Sequence, residues 1–248
     1  IDSTGKNWIL PAIGGLKASA LYEQHIQNIL ARAAAKGLSR KTIRGIKATC
    51  TSFIKYCRKR KALTLFPEDL TIPKHVRYKG KKILQPDELR KMLSRNFTYE
   101  NGKPAFDYTI YAYRFQVSTG LRPGELLGLE WEDIYDGIVH IRRSLNSSGE
   151  ITTGKNENAI RQFALNCRQQ NILEQQKALE IGTKRVFGNI KPKTYYDRWK
   201  RYCRFNEITP ISPYEMRHTF VSIAKILPEG MIKPLVGHSE NMDTYGTY

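Results

Sequence analysis

Five side chains of this sequence could act on an anionic group, and they occur in the order Arg122, Lys155, Arg217, His238 and Tyr248. Arg122 lies in Ser118-Thr-Gly-Leu-Arg-Pro-Gly-Glu125, where Gly120 and Pro123-Gly124 make a tight entry into a helix. An arginine there sits where anions bind well. The same loop could instead be a structural cap, with Arg122 paired to Glu125. Lys155 is the only lysine between Lys103 and Lys177, at the tip of an expected hairpin. Taken alone, such a lysine only aids solubility. In Ser212-Pro-Tyr-Glu-Met-Arg-His-Thr-Phe220 the spacing puts Tyr214 and Arg217 on one helix face, with His218 following. Leu235-Val-Gly-His238 precedes Tyr248 by ten residues, with Tyr245 as a rival at seven. Each feature is weak separately, but their order is hard to obtain by chance.

Elements must hold these groups in place. Leu21 to Lys36 reads as a helix closed by Gly37, and Ser39 is an N-cap for a second helix to about Arg60. In the second helix Ile43, Ile46, Cys50, Phe53, Ile54 and Cys57 form an apolar stripe. Another face carries Arg40, Arg44, Lys47, Thr51, Lys55 and Arg58, with Lys41 beside them and no acidic partner one turn away. This face is either solvated or a phosphate-contacting surface, and the missing acids favour the second. Residues 71–82, with Pro73, Gly80, Lys79, Lys81 and Lys82, show no hydrophobic periodicity and read as a basic linker able to track a DNA backbone. Pro86-Asp-Glu88 opens a helix, and Tyr108 to Val117 reads as a buried one. Gly137 to Ser144 alternates like a strand, and Asn146 to Glu150 is a turn. Ile151 to Thr153 and Ile160 to Leu165 are expected as strands around a polar tip that holds Lys155, with helices beyond about residue 168.

Charge narrows the function. The 248 residues hold 41 Lys and Arg against 23 Asp and Glu, a net charge of +18. Residues 1–80 contain 16 basic and 4 acidic residues, whereas residues 81–248 contain 25 and 19. Such an excess points to a polyanion. An anionic membrane surface would call for a basic amphipathic helix bearing Trp or Phe on its apolar face, and no apolar run is long enough to span a bilayer. Cys50, Cys57, Cys167 and Cys203 lack metal-site or disulfide-framework spacing, so neither a zinc site nor a disulfide scaffold is expected and a reducing, intracellular compartment is.

Thr119-Gly-Leu-Arg-Pro-Gly-Glu125, Met216-Arg-His-Thr-Phe220 and Val236-Gly-His-Ser239, taken in order, closely resemble the tyrosine recombinase (phage integrase) family, including integrases of conjugative transposons. The resemblance implies an α+β, mainly α chain. A small helical (SAM-like) core-binding domain over residues 1–75 is joined by a basic linker, 76–82, to a catalytic domain over 83–248 with a small antiparallel sheet. It also implies the chemistry: a tyrosine hydroxyl attacks a DNA phosphodiester, forming a 3′-phosphotyrosyl link and releasing a 5′-hydroxyl, and a 5′-hydroxyl of another strand reverses the step. By the same resemblance Arg122 and Arg217 hold the nonbridging oxygens, Lys155 protonates the leaving oxygen, His238 bonds a phosphate oxygen and Tyr248 is the nucleophile. Glu125 and His218 are supporting residues. Tyr214 stands where the family usually has histidine, and a phenol of pKa about 10 is a poor proton acceptor at neutral pH.

No metal or other cofactor is implied. The implied partners are double-stranded DNA, three further copies in a homotetramer on two DNA sites, and accessory DNA-bending proteins. The implied setting is the cytoplasm of a bacterium, with the phage- or host-encoded protein on the nucleoid. A catalytically inactive DNA-binding protein of the same fold is the alternative that Tyr214 keeps open, and a type IB topoisomerase-like enzyme ranks behind both. Because the chain starts at Ile1 and ends on the expected nucleophile, it is expected to be a piece of a longer protein, without an N-terminal arm-binding domain and a C-terminal tail.

Overall fold

Gly120, in the left-handed region at φ +68°, ends a deeply buried helix inside the first arginine motif. The computed structural model describes residues 3–74, 76, 80–153, 160–238 and 244, and the chain divides into two units, Ile1–Gly80 and Lys81–Tyr248.

In the first unit a π-helical stretch, Gly5–Ile9, runs into α1 (Leu10–Ile13), followed by α2 (Glu23–Ala35) and α3 (Arg40–Lys59). Ser39 caps α3 by accepting from the Thr42 amide at 3.2 Å, and Gly37 takes φ +73° in the connection. Ile26, Ile29, Leu30 and Ala33 of α2 pack with Ile43, Ile46, Cys50 and Ile54 of α3. Phe53 departs from the expected stripe and is 43% exposed. Ile54, one residue on, takes the core position, and at 100° per residue its neighbour must turn away. The chain after α3 is strapped back on side chains: Glu23 accepts from the Asp69 amide at 2.8 Å, Gln27 accepts from the Thr71 amide at 3.0 Å, and the Lys47 ammonium donates to the Leu70 carbonyl.

The second unit opens with α4 (Pro86–Ser94) and a hairpin of β1 (Phe97–Glu100) and β2 (Lys103–Phe106), turned by Asn101-Gly102, both at positive φ. Next come α5 (Ile110–Thr119), α6 (Pro123–Gly128), and the short strands β3 (Ile134–Tyr135), β4 (Ile138–Ile141), β5 (Ser144–Leu145), β6 (Ile151–Thr152) and β7 (Arg161–Ala164). Four helices follow: α7 (Cys167–Lys177), α8 (Pro192–Asn206), α9 (Pro213–Ala224) and α10 (Glu229–Val236). The core gathers round α5, whose Tyr113 ring lies 5.4, 4.9 and 5.5 Å from the rings of Tyr195, Trp199 and Tyr202 of α8. Tyr108, expected inside α5, is 60% exposed ahead of it, and the helix continues through Ser118 and Thr119.

Two strand expectations need correction. The run from Gly137 to Ser144 is not one strand, because β4 stops at Ile141 and β5 begins at Ser144. Nor do β6 and β7 pair with each other. β6 pairs antiparallel with β5 across the Asn146–Glu150 turn, whereas β7 pairs with β4 in the sheet β3-β4-β7. The turn decides this, since the Asn146 carboxamide accepts from the Ser148 and Glu150 amides at 2.9 and 3.0 Å and closes the nearer hairpin first. Among the described residues no helix is long and apolar enough to cross a membrane.

Candidate active site

Arg122 is set at the start of α6 by the chain on both sides of it. Upstream, the fully buried Gln116 donates its amide to the carbonyls of Leu121, at 3.2 Å, and Pro213, at 3.0 Å, and accepts from the Tyr195 hydroxyl at 2.8 Å. One carboxamide therefore fixes the first arginine loop to the start of the helix that carries the second. Downstream, Pro123 opens α6 and Glu125 turns back, accepting from the Arg122 amide at 2.9 Å and from Arg122 Nη1 at 2.7 Å. Arg122 Nη2 points to the Gly237 carbonyl at 3.4 Å. Burial works against the Arg122 charge, but Glu125 and the phenol of Tyr214 hold its pKa above the usual guanidinium value.

Arg217, on α9, is 0% exposed and donates through Nη1 to the Gly120 carbonyl at 2.9 Å and through Nη2 to the Val236 carbonyl. α9 is held from outside by Glu215, which accepts from the Ser212 and Lys82 amides at 2.6 and 3.1 Å, and by Thr219, which accepts from the Leu84 amide at 3.0 Å. Gly237, at φ +59°, ends α10 and presents His238, which is 9% exposed with Nδ1 3.0 Å from the Thr244 hydroxyl. Burial, then the positive charges of Arg217, Arg122 and Arg161, push the His238 pKa down to about 4. The imidazole is therefore neutral at pH 7. His218 is also held at about 4, by burial and then by Lys81, with Arg217 adding to it. Its ring meets the half-exposed Tyr214 ring edge to face at 5.3 Å.

The residues at 236–238 are thus where Arg122, Arg217 and His238 come together. Glu125 also has the expected pairing with Arg122, but it has a second partner that sequence reasoning missed. Arg161, on β7, grips both oxygens of Glu125, with Nη1 to Oε1 at 3.0 Å and Nη2 to Oε2 at 2.8 Å, and donates through Nε to the Leu235 carbonyl at 2.9 Å. Burial would raise the Glu125 carboxyl, yet Arg161 and Arg122 hold it at about 2. In sequence, Arg161 falls on the same strand face as Phe163, an inward parity for a charged residue, but nothing local identifies a partner 36 residues away. A cleft of about 620 Å³ adjoins these groups, lined by Arg122, Gly124, Ser144, Asn146, Thr152 and Tyr214 among others.

Lys155, Tyr245 and Tyr248 lie outside the described residues, as does Lys79. On the first unit Arg40, Lys41, Arg44 and Lys55 are exposed, whereas Lys47 is half-buried on Leu70 and Arg58 is half-buried with its guanidinium over the Phe66 ring. Lys81 and Lys82 are exposed at the start of the second unit.

Residues 82–248 match the model of the phage integrase family. The chain is 25% identical over 241 residues to the ICEBs1 integrase of Bacillus subtilis (strain 168), covering 85% of this chain and 62% of that protein, so it spans less than two thirds of the relative. Its fold is similar to that of the Tn1549 transposon integrase in complex with circular intermediate DNA, with a TM-score of 0.78 at 18% identity over 92% of this chain and 81% of the other. It is also similar to a lambda integrase tetramer bound to a Holliday junction, with a TM-score of 0.63 at 16% identity over 91% and 66% of the two chains. With its arginine and Gly-His motifs meeting at one buried turn inside the matched region, the chain belongs to the phage integrase family.

Proposed function

We propose that this chain is a site-specific DNA recombinase, an integrase or transposase that cuts and rejoins strands through a 3′-phosphotyrosyl intermediate during integration or excision of a mobile element. The observation that carries the reading is the convergence of Arg122, Arg217 and His238 on residues 236–238. Two guanidinium groups beside a neutral imidazole suit a phosphoryl-transfer transition state, whose charge spreads over nonbridging oxygens. In this reading Tyr248 attacks the phosphorus, the bond to the 5′-oxygen breaks, and Lys155 supplies the proton that oxygen needs. His238, its Nδ1 occupied by Thr244, turns Nε2 to the phosphate. Arg217 is 0% exposed, so productive binding of DNA must uncover it.

The unit 1–80 is then the core-binding domain, gripping phosphates through Arg40, Lys41, Arg44 and Lys55, and 81–248 is the catalytic domain, with Lys81 and Lys82 on the DNA backbone at the junction. The circular intermediate held by the Tn1549 integrase and the Holliday junction held by the lambda tetramer support double-stranded DNA as the partner and a homotetramer on two DNA sites as the working assembly. Accessory DNA-bending proteins and a place on the bacterial nucleoid belong to the same reading. Tyr214 in place of histidine favours the second reading, an inactive DNA-binding protein. One experiment separates them. The protein is incubated with a random-sequence pool of singly nicked duplexes, and SDS-resistant, protease-sensitive adducts are collected and sequenced. The recombinase reading expects a defined sequence linked to protein and no adduct from Tyr248→Phe. An adduct that survives Tyr248→Phe moves the nucleophile to Tyr245, and no adduct from the unaltered protein leaves the inactive reading.

A further inference from the structure

Glu125 sits 3% exposed between two arginines and accepts four hydrogen bonds: Oε1 from Nη1 of Arg122 and of Arg161, and Oε2 from the Arg122 amide and Arg161 Nη2. A carboxylate between two arginines divides their charge. With only Arg122 beside it, Glu125 would neutralise the guanidinium needed for a phosphate. With Arg161 sharing both oxygens, two guanidinium groups face one carboxylate, and Arg122, still 2.7 Å from Oε1, is only partly neutralised. Arg161 also spans three parts of the catalytic unit: it stands on β7, pairs with α6 and bonds the Leu235 carbonyl two residues before Gly237. Its side chain is 7% exposed, so a role in surface solubility is ruled out.

We propose that Arg161 is a positioning residue for strand transfer: by occupying both oxygens of Glu125 and the Leu235 carbonyl, it locks the Arg122 motif to the Gly-His motif and leaves the Arg122 charge for the scissile phosphate. This rests on the recombinase reading above. Arg161 touches no reacting atom. Its effect passes through Glu125, so the two residues must be coupled. The same placement adds positive charge near His238 and helps keep that imidazole neutral.

The test uses the full chain and the nicked duplex recovered from the adduct pool, comparing Arg161→Gln, Arg161→Lys, Glu125→Gln and the double variant Glu125→Gln/Arg161→Gln. A misplaced arginine costs on the order of 10²-fold in rate, so Arg161→Gln is expected to slow adduct formation by about that factor while binding the duplex nearly as well as the unaltered protein. Arg161→Lys, which keeps the charge but not the fork, is expected to recover about tenfold of the loss. The double variant is expected to be no slower than the slower single variant, because both changes break one relay. The acid limb of the rate profile of Arg161→Gln should move to higher pH as Glu125 loses a partner and His238 loses a nearby positive charge. An unchanged rate in Arg161→Gln, losses that multiply in the double variant, or an unmoved acid limb would each overturn the proposal. If Arg161→Gln does not fold, the rate of Arg161→Lys decides, expected about tenfold below that of the unaltered protein, and an unchanged rate would overturn the proposal. An unaltered protein that forms no adduct removes the recombinase reading itself, which the variants alone cannot do.

Discussion

Arg217 reaches across 97 residues of sequence to donate through Nη1 to the Gly120 carbonyl, 2.9 Å away. The second arginine thus rests on the turn that leads into the first. Gly120 has no room for a side chain there, since a Cβ would stand 2.4 Å from Cδ1 of Phe220, and its φ is +68°.

Gly120→Ala is therefore expected to lower stability by roughly 2–4 kcal/mol, combining a left-handed alanine with overpacking. Urea unfolding measures it. Phe220→Ala in the same chain removes the clashing ring, and an alanine at 120 that costs as much in that background would show that the ring is not the cause.

Stability should fall in two acid steps. His218 and His238 are held at about 4 against 6.5 when unfolded, so the unfolded chain binds protons that the folded one refuses. Their contribution is intact above pH 6.5 and is lost as pH falls from 6.5 to 4. Glu125, at about 2 against 4.5, contributes stability above pH 4.5 that is lost as pH falls towards 2. Each group is worth on the order of 1–3 kcal/mol. Urea midpoints against pH should show both steps, and Glu125→Gln should erase the lower one alone. A lower step that persists in Glu125→Gln would assign it to other carboxylates.

Tyr214 lines the cleft beside Arg122 and helps hold its charge. Removing one such hydrogen bond costs about 1 kcal/mol, so Tyr214→Phe should slow adduct formation roughly five- to tenfold, and Tyr214→His should match or exceed the unaltered rate. A rate in Tyr214→Phe equal to the unaltered one would place the phenol outside the reaction.

The basic face of α3 should divide in two. Arg44 is exposed, whereas the Lys47 ammonium is tied to the Leu70 carbonyl. Arg44→Ala should reduce the slope of log affinity against log salt by about 0.9, the value of one phosphate contact. Lys47→Met should leave that slope in place and lower stability by about 1 kcal/mol through the lost strap. Equal slopes for both variants and the unaltered chain would return the whole face to solvent.

What could be read from sequence divides along the range of the interactions. Ser39, Gly37 and the Asn146–Glu150 turn act within four residues, so type and spacing reveal them. Arg122 and Arg217 were legible through their motifs, although neither motif reveals that Arg217 rests on the Gly120 and Val236 carbonyls and Arg122 on that of Gly237. Arg161 was only half legible, because its alternation with Phe163 marks an inward face without identifying Glu125 as the partner. The pairing of β6 and β7 failed for a related reason: two strands flanking a loop suggest a hairpin, and only the register with β4 and β5 shows otherwise.

The contacts that complete the site span the chain, with 115 residues separating Arg122 from the Gly237 carbonyl it meets. Contacts so distant form late, after the local helices and turns, because loop closure must come first. The first unit, with its basic α3, closes over shorter spans, such as the 46 residues between Glu23 and Asp69, and can form earlier. On the recombinase reading proposed above, the capacity to hold a polyanion would then precede, during synthesis, the capacity to act on it, and a chain stalled before α10 would grip without cutting.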